Sequence, residues 1–227
     1  MKTLIVIDMQ NDFIDGSLGT KEAQAIVPNV KKKIEEYKSR GDQIIFTRDT
    51  HFENYLETNE GKHLPVQHCV YETSGWEISK ELDTDNAILV NKKTFGYRGW
   101  YEFGFNEDVE LVGLCTDICV VSNALILKAM FPEIKITVDA SCCAGVTPES
   151  HNAALTTMIK LNGEVVNINH FPDGTLLLKE ESNWCGGGTH KIEWYFENNE
   201  ELVVLMFLTK HLRSYDSTRK INLSLPY

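Results

Sequence analysis

Short apolar runs rich in branched residues alternate with segments of helical periodicity along most of this chain, and no other feature constrains its fold as strongly. Thr3-Leu4-Ile5-Val6-Ile7 is the first run, stopped by Asp8. Residues 21–38 then set Ala25, Ile26, Val30, Ile34 and Tyr37 on one helical stripe. Gly41 stops that helix, and Gln43-Ile44-Ile45-Phe46-Thr47 is the second strand. Ala87-Ile88-Leu89-Val90 and Val109-Glu110-Leu111-Val112 follow as strands three and four, and Asp117 to Met130 reads as a helix. Strand five is expected over Ile134-Lys135-Ile136-Thr137-Val138. Thr147 as a cap, with Pro148 at the first helical position, opens a helix to about Leu161, and Glu164-Val165-Val166 is strand six. Strands that are apolar at nearly every residue are buried on both faces, which requires helices above and below a mostly parallel sheet. The expected fold is α/β: a mostly parallel six-stranded sheet with helices on both faces, plus a short C-terminal extension.

A chain of 227 residues holds one sizeable core, or one domain with an appendage. The alternating pattern defines a domain over 1–170. A linker is expected over 171–190, where Gly186-Gly187-Gly188 breaks the chain, and a strand-helix-strand extension without assigned role over 191–227. Its strands are expected at 191–196 and 221–225, its helix at 200–212. With 22 Lys and Arg against 33 Asp and Glu, the net charge is −11, and no segment is strongly basic. Nucleic acid is therefore excluded as a partner. The longest apolar run, Leu202 to Leu208, is seven residues, against about 20 needed to cross a bilayer. Leu4 to Ile7 is too short for a signal peptide. No membrane association is expected, and the cytoplasm is the expected compartment. The six cysteines there, at 69, 115, 119, 142, 143 and 185, read as reduced thiols. No second close thiol pair accompanies Cys115 and Cys119, which disfavours a structural zinc knuckle and leaves buried small hydrophobes and one catalytic thiol.

Open parallel sheets bind ligands beyond the carboxyl ends of their strands. Four such ends carry reactive groups: Asp8 after strand one, Asp49 and His51 after strand two, Lys92 after strand three, and the turn Gly113 to Cys119 after strand four. A cysteine in the first turn of a helix feels the positive end of the macrodipole, which favours thiolate, and a nearby cation favours it further. Cys119, Lys92 and Asp8 are thus candidates for nucleophile, electrostatic activator and general base, with N–H groups at the helix start as oxyanion donors. Singly, each has a plainer reading: a core thiol, a solvated loop lysine with Lys93 as its equal, a turn cap. Only convergence in space separates the two sets of readings. In an extended segment Asp49 and His51 point the same way. His68 completes a two-His, one-carboxylate set that suits Zn, Mn or Fe with open positions for water. Glu57, Glu60 and His63 lie between, either as a fourth ligand or facing solvent.

Asp8-Met9-Gln10-Asn11-Asp12-Phe13, Thr47-Arg48-Asp49-Thr50-His51, His68-Cys69-Val70, Lys92 and Gly113-Leu114-Cys115-Thr116-Asp117-Ile118-Cys119-Val120 occur in that order. Over residues 1 to about 167 the chain resembles the isochorismatase-like cysteine hydrolases, and its D-x-H…H set resembles their nicotinamidase branch. The resemblance implies a triad of Asp8, Lys92 and Cys119, and a metal, commonly zinc, on Asp49, His51 and His68. It also implies a cis peptide before Cys115 and an oxyanion hole from the N–H groups of Cys115 and Cys119. The spacing from Lys92 to Phe95 resembles the family's lysine-plus-three aromatic, which selects Lys92 over Lys93. Phe13, with Phe95 or Tyr97, is then a candidate to sandwich a flat ring, core packing being the alternative. The implied activity is hydrolysis of nicotinamide to nicotinate and ammonia through a Cys119 thioester, with a divalent metal (zinc; Mn or Fe as alternatives) and a small-molecule amide as partner, in a possible homo-oligomer. A carbamoyl or ureido amide is the alternative substrate, and a non-catalytic binding module on the same fold the alternative function. Cys119 argues against vinyl-ether cleavage by isochorismatases proper, which use no such thiol.

Overall fold

The computed structural model describes residues 2–161, 163–168, 176–183 and 189–196. The chain divides into two units, Met1–Asp173 and Gly174–Tyr227. The first unit begins with β1 (Thr3–Ile7), the short helix α1 (Asn11–Ile14), α2 (Lys21–Ser39) and β2 (Gln43–Asp49). It continues with α3 (Asn59–His63), β3 (Ile88–Lys92) and β4 (Val109–Leu114). A π-helical turn, Thr116–Val120, then runs into α4 (Val121–Met130), followed by β5 (Ile136–Ala144), α5 (Pro148–Lys160) and β6 (Glu164–Val166). All six expected strands form, and every pairing in the order β3-β2-β1-β4-β5-β6 is parallel.

Local chemistry accounts for these elements. All five residues of β1 are buried, as its apolar run requires at the centre of a sheet covered on both faces. Thr20 caps α2 by accepting the Ala23 N–H, and the helix buries Ala23, Ile26, Val27, Val30, Ile34 and Tyr37. Ala25, expected on that stripe, faces solvent instead. Thr147 and Ser150 form a reciprocal capping box at the start of α5, with Pro148 in its first turn. β5 runs six residues past its expected end, through a register irregularity opposite β4 between Leu111 and Gly113. The Asp139 carboxylate is satisfied by Lys33, Ser141 and Asn167, so the strand continues through these polar residues.

The chain lays β2 and β3 on one side of β1 and β4 to β6 on the other, so the direction of winding reverses between β1 and β4. The carboxyl ends of those two strands flank the crevice where such sheets bind ligands. Close backbone approach there demands a glycine. Gly113 has φ 117°, and a Cβ on it would collide with the Ile7 carbonyl oxygen of the neighbouring strand.

In the second unit β7 (Leu176–Asn183) pairs antiparallel with β8 (Thr189–Phe196), Leu176 opposite Phe196 and Asn183 opposite Thr189. The stretch 171–190, expected as a linker, therefore contains a strand, and the strand expected at 191–196 forms as part of β8. The helix expected at 200–212, the strand at 221–225 and Cys185 lie outside the described residues. Among the described residues no helix is long and apolar enough to cross a membrane.

Candidate active site

Three strand ends and one turn deliver the reactive groups. Asp8 leaves β1 in the left-handed region, φ 47°, which Asp tolerates better than most residues. Thr47 on β2 pins it: the Thr47 hydroxyl donates to Asp8 Oδ1 at 2.6 Å and accepts the Asp8 N–H at 3.1 Å. Lys92 is the last residue of β3 and pairs in register with Asp49, the last residue of β2. Both were expected just beyond their strands. Lys92 Nζ lies 2.6 Å from Asp8 Oδ2, 3.3 Å from Asp49 Oδ1 and 3.5 Å from Cys119 Sγ, to which it donates. Cys119 sits in the π-helical turn after β4. Asp8, Lys92 and Cys119, all buried, thus converge at the sheet edge. The three side chains meet the condition of convergence that the sequence alone leaves open.

Burial sets the charge states. It pushes the Asp8 carboxyl up, with Lys92 pulling the other way. Burial opposes the Lys92 cation too, but Asp8, Cys119 and Asp49 around it hold its pKa well above the ordinary lysine value. Burial pushes the Cys119 thiol well up despite the neighbouring ammonium. Desolvation thus works against the thiolate, while the Lys92 ammonium works for it. Cys115, also expected at this turn, follows a cis peptide bond with Leu114, and burial raises its own thiol to about 12.

Beside the thiol site, Asp49, His51, Glu60 and His68 each offer one ligand atom, all within 4.8 Å of one another. His68 Nδ1 lies 2.8 Å from the Val66 carbonyl, which only accepts, so this nitrogen carries the proton and Nε2 presents its lone pair to the cluster. His68 Nε2 is 3.9 Å from Asp49 Oδ2 and 3.8 Å from Glu60 Oε1; His51 Nε2 is 3.1 and 3.5 Å from the same atoms. Of the three loop candidates Glu60 joins the cluster. Glu57 is exposed, and the exposed His63 bonds the Asn59 carbonyl instead. Two carboxylates and two imidazoles with their Nε2 atoms facing inward are a donor set that fits a divalent metal such as zinc, manganese or iron.

The supporting residues carry little sequence signal. In the D-x-Q-x-D run, Gln10 donates from Nε2 to the carbonyls of Asp49 (2.9 Å) and Trp76 (2.8 Å) and accepts the Asp49 N–H at 2.7 Å. Asp12 accepts the Cys69 N–H at 2.7 Å, fixing the chain just after His68. One residue of the run faces the thiol, and the other two hold the backbone of the metal-type ligands. Phe13 is buried with its ring 5.4 Å from that of His68, so it borders the same cluster. Phe95 is 44% exposed and is no core residue. Tyr97 packs its ring edge-on to Trp100, at 4.9 Å and 77°, which is the packing alternative.

The model of the isochorismatase domain family matches residues 2–170. The chain belongs to the isochorismatase family. Similar curated proteins include a nicotinamidase/pyrazinamidase of Mycobacterium tuberculosis, 27% identical over 186 residues that cover 73% of this chain and 98% of the relative. A nicotinamidase of Schizosaccharomyces pombe is 27% identical over 208 residues, covering 72% and 92%. Among solved structures, a pyrazinamidase of Pyrococcus horikoshii in complex with zinc superposes with a TM-score of 0.63 at 29% identity, covering 73% of this chain and 98% of its own. In this isochorismatase-family chain the family match covers the unit that carries the site, while the unit from Gly174 onward lies beyond it.

Proposed function

We propose that the protein is a nicotinamidase-type amidohydrolase, converting nicotinamide to nicotinate and ammonia as a step of NAD salvage. The observation that carries this reading is the juxtaposition of a buried Asp8-Lys92-Cys119 cluster with a four-donor metal-type cluster, joined through the two oxygens of Asp49. The relatives named above are nicotinamidases and pyrazinamidases, which supports the choice of a ring-bearing amide over a carbamoyl or ureido one. Asp49, His51, Glu60 and His68 would hold the metal, and the metal when bound supplies a Lewis-acidic anchor for the substrate ring.

The remaining chemistry belongs to the side chains. As the Cys119 sulfur attacks the amide carbon, its proton passes to Asp8, whose carboxyl burial pushes up. Lys92 stays charged throughout and stabilises the developing thiolate and the ionised Asp8. The N–H groups of Cys115 and Cys119 hold the oxyanion in this scheme. Asp8 returns the proton to the leaving nitrogen, the C–N bond breaks, and ammonia departs from a thioester. Water, deprotonated by Asp8, cleaves the thioester; the acid is released and the thiol is restored. The test is ammonia release from nicotinamide by the full chain, beside Cys119→Ala and a chelated sample. Activity that requires both thiol and metal is expected. Silence in a folded, metal-loaded sample sinks the substrate, and silence extending to carbamoyl and ureido amides favours a binding module.

A further inference from the structure

The segment following Lys92 is held against the nucleophile's own helix by a side chain that the reaction scheme does not use. Asn123 is fully buried one helical turn beyond Cys119. Its Oδ1 accepts the Tyr97 N–H and the Trp100 Nε1–H, each at 2.8 Å. Its Nδ2 donates to the Cys119 carbonyl at 2.8 Å and to the Phe95 carbonyl at 3.2 Å. A side-chain amide has two N–H donors and a carbonyl oxygen with two lone pairs, so the capacity of Asn123 is filled. Three of its partners lie in segment 95–100, and the fourth is the backbone of the nucleophile.

Two independent features show how closely that segment lies on the helix. A Cβ at Gly96 would press on Ile126 Cδ1 of α4, which places the loop directly against that helix. Trp100 is fully buried and reaches Asn123 through its single polar atom. An aliphatic residue at 123 would fill the volume but leave the Trp100 and Tyr97 donors unpaired in the interior, which nature of burial makes costly.

We propose that Asn123 is a positioning residue that fixes the distance between the Cys119 thiol and the wall formed by Phe95 and its neighbours, and thereby sets how firmly a flat aromatic ring is held over the nucleophile. This rests on the proposed amidase function and on the expectation from the family resemblance that Phe95 or Tyr97 borders the ring of the substrate. The amide couples the two walls because it bonds both backbones at once, through four directional bonds.

The test compares labelling of Cys119 by two thiol reagents, iodoacetamide and 3-(bromoacetyl)pyridine, in the metal-loaded full chain, with the modified site read by mass spectrometry. Nicotinamide kinetics run in parallel. In Asn123→Ala the preference for the ring-bearing reagent is expected to fall about tenfold relative to wild type, while the iodoacetamide rate stays within about twofold. The KM for nicotinamide rises about tenfold with kcat little changed, as for loss of a contact made equally in ground and transition states. Trp100→Phe removes one of the four bonds and keeps the ring packing; it shows the same shift at about threefold, and it decides the matter alone if Asn123→Ala does not fold. An unchanged labelling ratio overturns the proposal. So does a fall of both reagents in step, which marks a disordered thiol site in place of a displaced wall. If wild type leaves nicotinamide intact yet the variants lose ring preference, the substrate reading falls and the positioning role stands.

Discussion

The two halves of the site are built on opposite electrostatic plans. In the thiol half, the Lys92 ammonium lies between Asp8 and Asp49, so its charges are answered within the protein. In the other half, Asp49 and Glu60 face two imidazole nitrogens, and no cation of the described residues other than Lys92 pairs with either carboxylate. The groups register this. Burial and the nearby Asp49 push Glu60 up; burial works against the His51 cation, yet its bond to Asp49 and the charges of Asp49 and Glu60 prevail and raise its pKa as well. Both shifts favour taking up a proton, which is how a cluster short of positive charge behaves. One half is complete as folded, and the other is arranged around a charge supplied from outside. Asp49 belongs to both, with Oδ1 toward Lys92 and Oδ2 toward His51.

The sharpest way to break this comparison is to disable one half and look for damage in the other. Cys119→Ala is expected to lower nicotinamide turnover by about 10⁴-fold or more, because no other group replaces a covalent nucleophile. Metal content, measured by atomic emission on the dialysed protein, should remain at the wild-type stoichiometry. A variant that loses metal along with turnover would show that the halves are one structural unit.

Glu60→Gln attacks the other half. It removes one of two carboxylates and is expected to weaken metal binding about 100-fold, with turnover recovered at high metal concentration. Falling pH should strip the metal from wild type, since protons compete with it for His51 and Glu60, whose pKa values are raised. Metal titration at several pH values checks both statements; a Glu60→Gln variant with wild-type affinity would leave Asp49, His51 and His68 as the whole ligand set.

Thr47→Val is a subtler probe, confined to the thiol half. The valine keeps the shape of β2 but removes the 2.6 Å bond that orients Asp8. A drop in kcat of about tenfold, equivalent to about 1.4 kcal/mol, is expected with unchanged KM and metal content. Steady-state kinetics on metal-loaded protein measures it.

The sequence pattern reaches further into the fold than into the site. Six strands and their order along the chain follow from apolar runs and helix signals, because burial on both faces leaves a mark in every residue of a central strand. Asp8, Lys92 and Cys119 are legible as types at strand ends, and the structure supplies what a sequence lacks, the register that sets Asp49 opposite Lys92. Thr47 and Asn123 leave no mark, since a buried threonine in a strand and an asparagine on a helix look ordinary until their partners, 39 residues away for Asp8 and 28 for Phe95, are known. Glu60 is one of three loop candidates that only tertiary packing separates. The helix start near Cys119 is visible in sequence, whereas the depth of burial that pushes its thiol up is not.

The smallest effect on turnover is expected at a third polar cluster, which serves neither half. Lys33 on α2 lies 2.7 Å from Asp139 Oδ2 and 2.8 Å from Glu110 Oε1, and the Tyr37 hydroxyl donates to Glu110 Oε2 at 2.6 Å. Lys33→Met keeps the aliphatic stem but strands two carboxylates, so the first unit should lose about 3 kcal/mol while each folded molecule turns over normally. The pH dependence separates charge from packing. Burial opposes the Asp139 charge, but bonds from Lys33, Ser141 and Asn167 outweigh it and depress the pKa. A depressed carboxylate contributes stability above its unfolded pKa of about 3.9 that is lost as pH falls through the folded value. Lys33, whose bonds to the same carboxylates overcome burial and raise its pKa, contributes below its unfolded pKa of about 10.4 and loses it at higher pH. The gap between wild type and Lys33→Met in urea unfolding should therefore be widest between about pH 4 and 10 and narrow toward pH 3. Because methionine keeps the stem, a gap that keeps its full size at pH 3 would assign the effect to the hydrogen bonds that Lys33 Nζ donates and not to the paired charges.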